Sequence, residues 1–434
     1  MMQNVVQLMG VVMQLRRLVM VAMFFFVATS SLFGAERLTW EQCVKETKLA
    51  HPDLVSALAL LQQAEADKLV AAGAGRPQLS FAAYAQERGA SGSASSSLFS
   101  TALSAQQLLY DGRKTSRQIE SNKEMIKAAQ YNYQNVSANL RFALRSTFTD
   151  LLKAQHLVGL TREIAERRQK NARLINLRYQ GGRENIGSLR QAEADVAQAQ
   201  FEVAQAERTL QLTQTALALV LGRDSSQPLN VQGQFILSNF LTRKPDMTLL
   251  TKQHPLVQQL SAQTKAAQYN VDVAQSAFSP QLSLTSSVGG NSPDRFTVDA
   301  LDWSAGVTLS VPIYEGGSGN ARVAKARAVL NQQKAQEKSS YLQLVHELEE
   351  RWKNLQDSQQ QVAVRKKFLD AAVERATIAT AQYSNGLISF NDWVMIEDNL
   401  VSAKKEFLNA GAALLIAEAQ WIQSKGGGLD AQEK

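Results

Sequence analysis

Eight prolines punctuate this chain of 434 residues, and their placement leaves two long stretches without any, Gln78 to Gln227 and Ile313 to Lys434. Proline removes a backbone donor and clashes with the preceding turn, at a cost of about 3 kcal/mol inside a helix. Chains avoid it over such lengths mainly where they build long helices. Glycine is also sparse there. The turn residues divide the stretches into helices expected at about 115–180 and 187–221, then 318–384 and 391–424. The first would measure about 100 Å. No globular core of this chain length buries such a rod, so it must lie along other rods.

The spacing of apolar residues shows how. Leu189, Ala192, Val196, Ala199, Val203, Ala206, Leu210, Thr213, Leu217 and Val220 follow an unbroken 3-4 pattern, as do Trp393, Ile396, Leu400, Ala403, Phe407, Ala410, Leu414, Ala417 and Trp421. Seams of this kind are those of coiled coils, and alternation with alanine lets helices pack closely.

The chain is also written twice. His51-Pro52 recurs as His254-Pro255, Pro77-Gln78-Leu79-Ser80 as Pro280-Gln281-Leu282-Ser283, Tyr110-Asp111-Gly112 as Tyr314-Glu315-Gly316, and Tyr179-x-x-Gly182 as Tyr383-x-x-Gly386. The offset stays at 203 or 204 residues throughout. The expected organisation is a first repeat over 36–224, a linker over 225–248, a second repeat over 249–424 and a flexible tail over 425–434. Each repeat opens with a medium helix that has proline in its first turn, where the missing N–H is not needed. The His-Pro pairs are accordingly read as helix starts rather than as ligands.

Strand-like segments follow in each repeat, at about 79–88 and 98–109, then 282–290 and 300–312. The last alternates most strictly. Leu301, Trp303, Ala305, Val307, Leu309 and Val311 share one face, and Asp302, Ser304, Gly306, Thr308, Ser310 and Pro312 the other. The segments between strands, Gly89 to Ser97 and Gly289 to Thr297, have the composition of hairpin turns. Strands of about 10 residues fit either a soluble core or a tilted crossing of a bilayer.

The N-terminus, with the long helices, shifts the weighting between those settings. Arg16 and Arg17 precede an apolar run, Leu18 to Phe33, that ends in small residues. This is the pattern of a secretory signal, expected over 1–35 and cleaved after Ser30 or Ala35, with Met13 a candidate start. The lone cysteine, Cys43, allows no disulfide framework or Cys-based zinc site, and it does not stand in a lipidation motif. Without residues 1–35 the net charge falls from +7 to +5, because two arginines and no acids are removed. Charges spread along exported helices read as a solvated surface, so no nucleic-acid partner is expected. The histidines His51, His156, His254 and His346 form no motif, and neither a phosphate loop nor a nucleophile elbow is present. No catalytic residue, cofactor or metal is therefore expected.

Four amphipathic strands are too few for a membrane barrel, which needs at least about eight. An open sheet would expose backbone groups to lipid. If these strands lie in a membrane, several copies must complete one barrel, and the helices must extend from it as a tube. In sum the chain resembles the TolC-like outer membrane efflux protein family over about Leu38 to Gly426. The resemblance rests on the duplication, the Pro-Gln-Leu-Ser strand starts, the post-hairpin Leu109-Tyr110-Asp111-Gly112 and Ile313-Tyr314-Glu315-Gly316, and the tips Arg178 to Gly182 and Gln382 to Gly386. It implies a mainly α fold with a small membrane β part, and a homotrimer whose β-barrel in outer-membrane lipid continues as a periplasmic helical barrel. It also implies docking to a periplasmic adaptor (membrane fusion protein) and an inner-membrane pump, in efflux or type I secretion, with no catalysis. The competing reading, a periplasmic coiled-coil adaptor or scaffold, would show one hairpin and larger β-rich domains.

The resemblance also assigns roles. Asp392 falls where the family often carries a pore-narrowing aspartate, and the second ring position is Met395. Tyr179, Gly182, Ser188, Tyr383, Gly386 and Ile388 fall at the periplasmic tips, where adaptors dock. Tyr383 matches a latch tyrosine, but its usual partners are replaced by Ile388 and Ser188, so packing of Leu387, Ile388 and Phe390 is expected to hold the tip. Leu301, Trp303, Val307, Leu309 and Val311 are expected to face lipid. From Arg162 to Arg190 the charge is +5 and from Glu374 to Asp398 it is −3, so the two tips should attract.

Overall fold

The computed structural model describes residues 36–431 apart from 90, 93–95, 224–227, 236–243, 294–295 and 297–300. The expected signal segment lies outside the described residues. In chain order the elements are β1 (Glu36–Leu38), α1 (Trp40–Ala50), α2 (Pro52–Gly73), β2 (Gln78–Arg88), β3 (Ser96–Tyr110), α3 (Lys114–Gln180), α4 (Ile186–Val220), β4 (Leu229–Val231), α5 (Met247–Gln253), α6 (Pro255–Gln275), β5 (Gln281–Ser292), β6 (Asp302–Ser310), α7 (Ser318–Ser384) and α8 (Phe390–Ser424). A short 3-10 turn, Ser276–Phe278, follows α6.

The antiparallel sheet has the order β2-β3-β5-β6. Its register sorts the side chains into two faces. One row, Phe81, Leu103, Val288 and Trp303, crosses all four strands. The row one residue away on the opposite face is Ser80, Ser104, Ser287 and Ser304, with the last two hydroxyls 2.9 Å apart. Among the described residues nothing covers the apolar face, where Phe81 is 70% and Trp303 76% exposed. β6 is shorter than the 300–312 expected. Leu301 and Val311 flank it, while Trp303, Val307 and Leu309 lie within it.

The helices form one layer. Near the sheet its order is α2-α3-α6-α7, and toward the tips it is α4-α3-α8-α7. The two apolar seams face their neighbours. Leu217 is fully buried, and Leu189, Ala192, Ala199 and Ala206 are buried with it. Trp393, Leu400, Leu414 and Trp421 are buried in the second hairpin. Trp421 meets Trp352 of α7 with ring centroids 5.2 Å apart.

Two expectations are corrected at mid-height. The segment read as a linker carries β4, which pairs in parallel with β1, and Gln155 of α3 bonds both the N–H and the carbonyl of Val231. Strands of three residues carry too little alternation to be read from sequence. The segment expected as a tail makes specific contacts over 425–431. Leu429 is buried in the core of the first repeat, its N–H bonds the Ser137 hydroxyl at 3.0 Å, and Asp430 pairs with Lys48. One apolar side chain after three glycines gives no periodic signal, yet it fills a cavity in the other repeat.

Both His-Pro pairs start helices, and the histidines are themselves the caps. Nδ1 of His51 accepts from the N–H of Asp53, and Nδ1 of His254 from that of Leu256. His254 is buried and also hydrogen-bonds the backbone of Gln423 in the last turn of α8, tying the start of α6 to the end of α8. Burial lowers its pKa to about 4, against the Gln423 bond, which favours the proton. The folded form is thus the neutral ring. Its contribution is complete above the unfolded pKa of about 6.5 and is lost as pH falls through the folded value, amounting to about 3 kcal/mol at most. Asparagine at this position keeps an N-cap acceptor but cannot titrate. Melting followed from about pH 7 to pH 4 should therefore fall less steeply for His254→Asn than for wild type; parallel curves would place the acid sensitivity elsewhere.

Candidate functional site

The two helical hairpins end side by side, and the same turn closes each. Gly182 and Gly386 take φ +70° and +77°. Arg183 N–H bonds back to Arg178 O, and Leu387 N–H to Gln382 O, both at 2.8–2.9 Å. This is the left-handed helix stop that glycine adopts without strain. The next helix is then capped, by Asn185 on the N–H of Ser188 and by Ser389 on the N–H of Asp392.

Between the tips lies a small core of Ile175, Leu189 and Ala192 from the first hairpin with Ala379, Tyr383 and Trp393 from the second. Tyr383 stands at its centre, 1% exposed. Its ring stacks on Trp393 with centroids 4.5 Å apart and planes 4° from parallel. The Arg178 guanidinium lies 4.6 Å from the same ring and donates to the Tyr383 carbonyl at 2.9 Å. The phenol donates to Glu184 at 2.7 Å. Burial, and then Glu184, hold the Tyr383 pKa well above the ordinary phenol range. Burial also opposes ionisation of Glu184, but bonds from Tyr383, the Asn185 backbone and Ser188, with Arg178 nearby, outweigh it and lower its pKa.

A polar link between the hairpins therefore exists with different partners from those sought by resemblance. Ser188 is buried and Ile388 half-buried, but the acceptor is Glu184 and the cation is Arg178. Of the three apolar residues expected to hold the tip, Ile388 and Phe390 pack on the core while Leu387 is 72% exposed. Both tip acids and bases were visible in sequence; which of them meet was not.

Higher up, ion pairs join α3 to α8. Arg167 grips Glu397 with two bonds of 2.5 and 2.7 Å, Arg168 pairs with Asp398, and Glu163 with Lys404 at 2.5 Å. Lys405 of α8 reaches Glu202 of α4 at 2.7 Å. Glu397 is 1% exposed and lies beside the seam residue Ile396. Adjacent arginines facing an adjacent Glu-Asp pair are the local form of the opposite tip charges.

The remaining predicted residues face solvent in the subunit. Tyr179 is 40% and Met395 56% exposed. Asp392 is exposed, and its carboxylate accepts from the Ser389 hydroxyl at 2.6 Å, completing a reciprocal cap. Asp392 and Met395, three apart, share a helix face.

Removing one partner of a buried ion pair strands the other, at about 3–5 kcal/mol. Arg167→Ala should thus destabilise the tips far more than Arg168→Ala, whose partner Asp398 is largely solvated. Hydrogen exchange of the α3 and α8 amides near the tips measures this, and Arg167→Met with Glu397→Met should recover most of the loss. Equal effects of the two alanine variants would show that burial of Glu397 carries no penalty.

Known proteins are similar to this chain in sequence and fold. The chain is 23% identical over 296 residues to the probable outer membrane lipoprotein SilC of Salmonella typhimurium, covering 65% of this chain and 62% of that protein. It is 23% identical over 343 residues to the outer membrane efflux protein BepC of Brucella suis, covering 76% and 74%. The chain thus spans a little under two thirds of the first relative and about three quarters of the second. A crystal structure of CusC superposes with a TM-score of 0.81 at 20% identity, over 92% of this chain and 96% of that one, and shares the fold. The profile of the outer membrane efflux proteins matches residues 43–223 and again 248–427, one match for each repeat, and the chain belongs to that family.

Proposed function

We propose that three copies of this chain close into one duct, with a twelve-stranded barrel in the outer membrane and a helical tube in the periplasm. The duct receives cargo from a periplasmic adaptor and an inner-membrane pump, and its own work is passage rather than catalysis. The observation that carries this is the two-faced sheet. Its apolar face is uncovered, its polar face is lined with serine, glutamine and threonine, and among the described residues β2 and β6 have no outer partners. Lipid does not tolerate open strand edges, so further copies must pair with them. No described helix is long and apolar enough to cross a membrane, so the membrane contact falls to the strands.

The edges of the helical layer support the same closure. Exposed Phe201, Leu212 and Leu219 run along α4, and exposed Val364, Phe368 and Ile378 along α7. A second copy of this chain would cover both stripes. Tyr179, Gly182, Ser188, Tyr383, Gly386 and Ile388 then fall at the periplasmic end, where the adaptor would dock, and Asp392 and Met395 are proposed to face the axis there.

Two experiments test this reading. An arginine in place of Val307 should cost about 2–4 kcal/mol per subunit near the membrane midplane and lower the oligomer yield of outer-membrane extracts. Asp in place of Thr308, on the polar face, should leave that yield intact; a normal yield for Val307→Arg would put this strand outside the lipid. For the constriction, three converging carboxylates would favour cations. Paired single-channel records should show that Asp392→Ala loses cation selectivity and block by trivalent cations. Unchanged records would leave Asp392 with its capping role alone.

A further inference from the structure

We infer that each subunit carries an anion-binding pocket on the polar face of its sheet, where the strands give way to the helices, and that Arg76 and Lys114 hold a phosphate or carboxylate group in it. The pocket belongs to one chain; only its place in the lumen rests on the duct proposed above.

A cavity of about 340 Å³ lies at this junction, walled by the end of α2, the starts of β2, β5 and α3, and the end of β3. Gln78, Gln106 and Gln281 line it. All three belong to the serine face. Gln78 stands opposite Gln106, Gln106 opposite Thr285, and Gln281 is two residues from Ser283 on the same strand. Asp111, Lys114, Thr115 and Gln118 approach at helical spacing from one side of α3. The cavity therefore opens away from the apolar face, and its occupant is a soluble anion rather than a lipid headgroup.

The positive charge in the cavity is not spent within the chain. Among the described residues neither Arg76 nor Lys114 makes an ion pair or a side-chain hydrogen bond. The acid in the lining, Asp111, is turned to the backbone, where its carboxylate accepts from the N–H of Thr115 at 2.7 Å. A guanidinium and an ammonium provide charge-assisted donors for an oxyanion, and the glutamine amides offer further N–H groups around it.

The duplicated counterpart differs. At the offsets of 203 and 204, Arg76 becomes Ser279 and Lys114 becomes Ser318. Asp111 becomes Glu315 and Gln118 becomes Arg322, and those two pair with each other. The second repeat thus has no spare cation at these positions, and each copy has one such pocket rather than two. A neighbouring copy brings no counter-ion either. It would set its β6 and α7 beside β2 and α2, and from 303 to 336 the only acid is Glu315, already held by Arg322.

Inorganic pyrophosphate tests this on the full-length protein in uncharged detergent at low salt. Titration calorimetry should show saturable binding, weakened about fivefold or more by Arg76→Gln or Lys114→Gln and abolished by both together. Exchanging the two cations, Arg76→Lys with Lys114→Arg, should retain binding, and Arg322→Gln should leave it unchanged. No binding by wild type, or equal binding by the double glutamine variant, overturns the inference. So does displacement of pyrophosphate by phosphatidylglycerol mixed into the micelles, which would make the occupant a lipid. In planar bilayers pyrophosphate should lower the conductance of wild type but not of the double variant. Binding that the double variant loses, with wild-type conductance untouched, would take the pocket out of the lumen and overturn the duct reading instead, so the two failures are distinguishable.

Discussion

The structure depends on one constraint, the hydrogen-bonding demand of backbone at a strand edge. Four strands present an apolar face wide enough for lipid, but among the described residues β2 and β6 end the sheet with no outer partner for their N–H and C=O groups. In water such edges invite aggregation; in a bilayer they are excluded. Closure with further copies satisfies both demands at once. It would also fix what the helices do in the proposed ring, because α2, α3, α6 and α7 adjoin the strands. In the proposed duct the helical tube is the continuation of the ring.

Duplication makes that ring nearly regular, and the departures from regularity carry the information. At the tips the two repeats share turn geometry down to the glycine φ values, since only the backbone is at stake there. Their side chains have diverged. Tyr383 is enclosed by Trp393, Arg178 and Glu184, while Tyr179, its counterpart, stands at the surface. A buried carboxylate such as Glu397 is tolerable only because Arg167 meets it with two bonds and Thr380 adds a further contact at 3.4 Å. Fastening of this kind ties the two hairpins of the subunit together at a single height.

At mid-height single hydrogen bonds replace the ion pairs. β4, the tail and the first turn of α6 are held by contacts from distant parts of the chain: Gln155 on Val231, Ser137 on Leu429, Gln423 on His254. The Ser137 contact binds the end of the second repeat to the first.

The sequence by itself determined the long helices, the coiled-coil seams, the two-faced strands and the duplication. Each is a periodic property, repeated over many residues, so local propensity and burial agree without reference to any distant partner. It also determined the tip turns, where glycine answers a local φ requirement. Only the tertiary structure decided that Leu429 docks into the opposite repeat, that three residues of β4 find β1, and that Glu184 rather than position 188 accepts from Tyr383. Those outcomes rest on single side chains meeting across some two hundred residues of chain, as Glu184 and Tyr383 do over a separation of 199. A solitary contact leaves no period to read, and its partner is chosen by which helix face the fold has already placed opposite it.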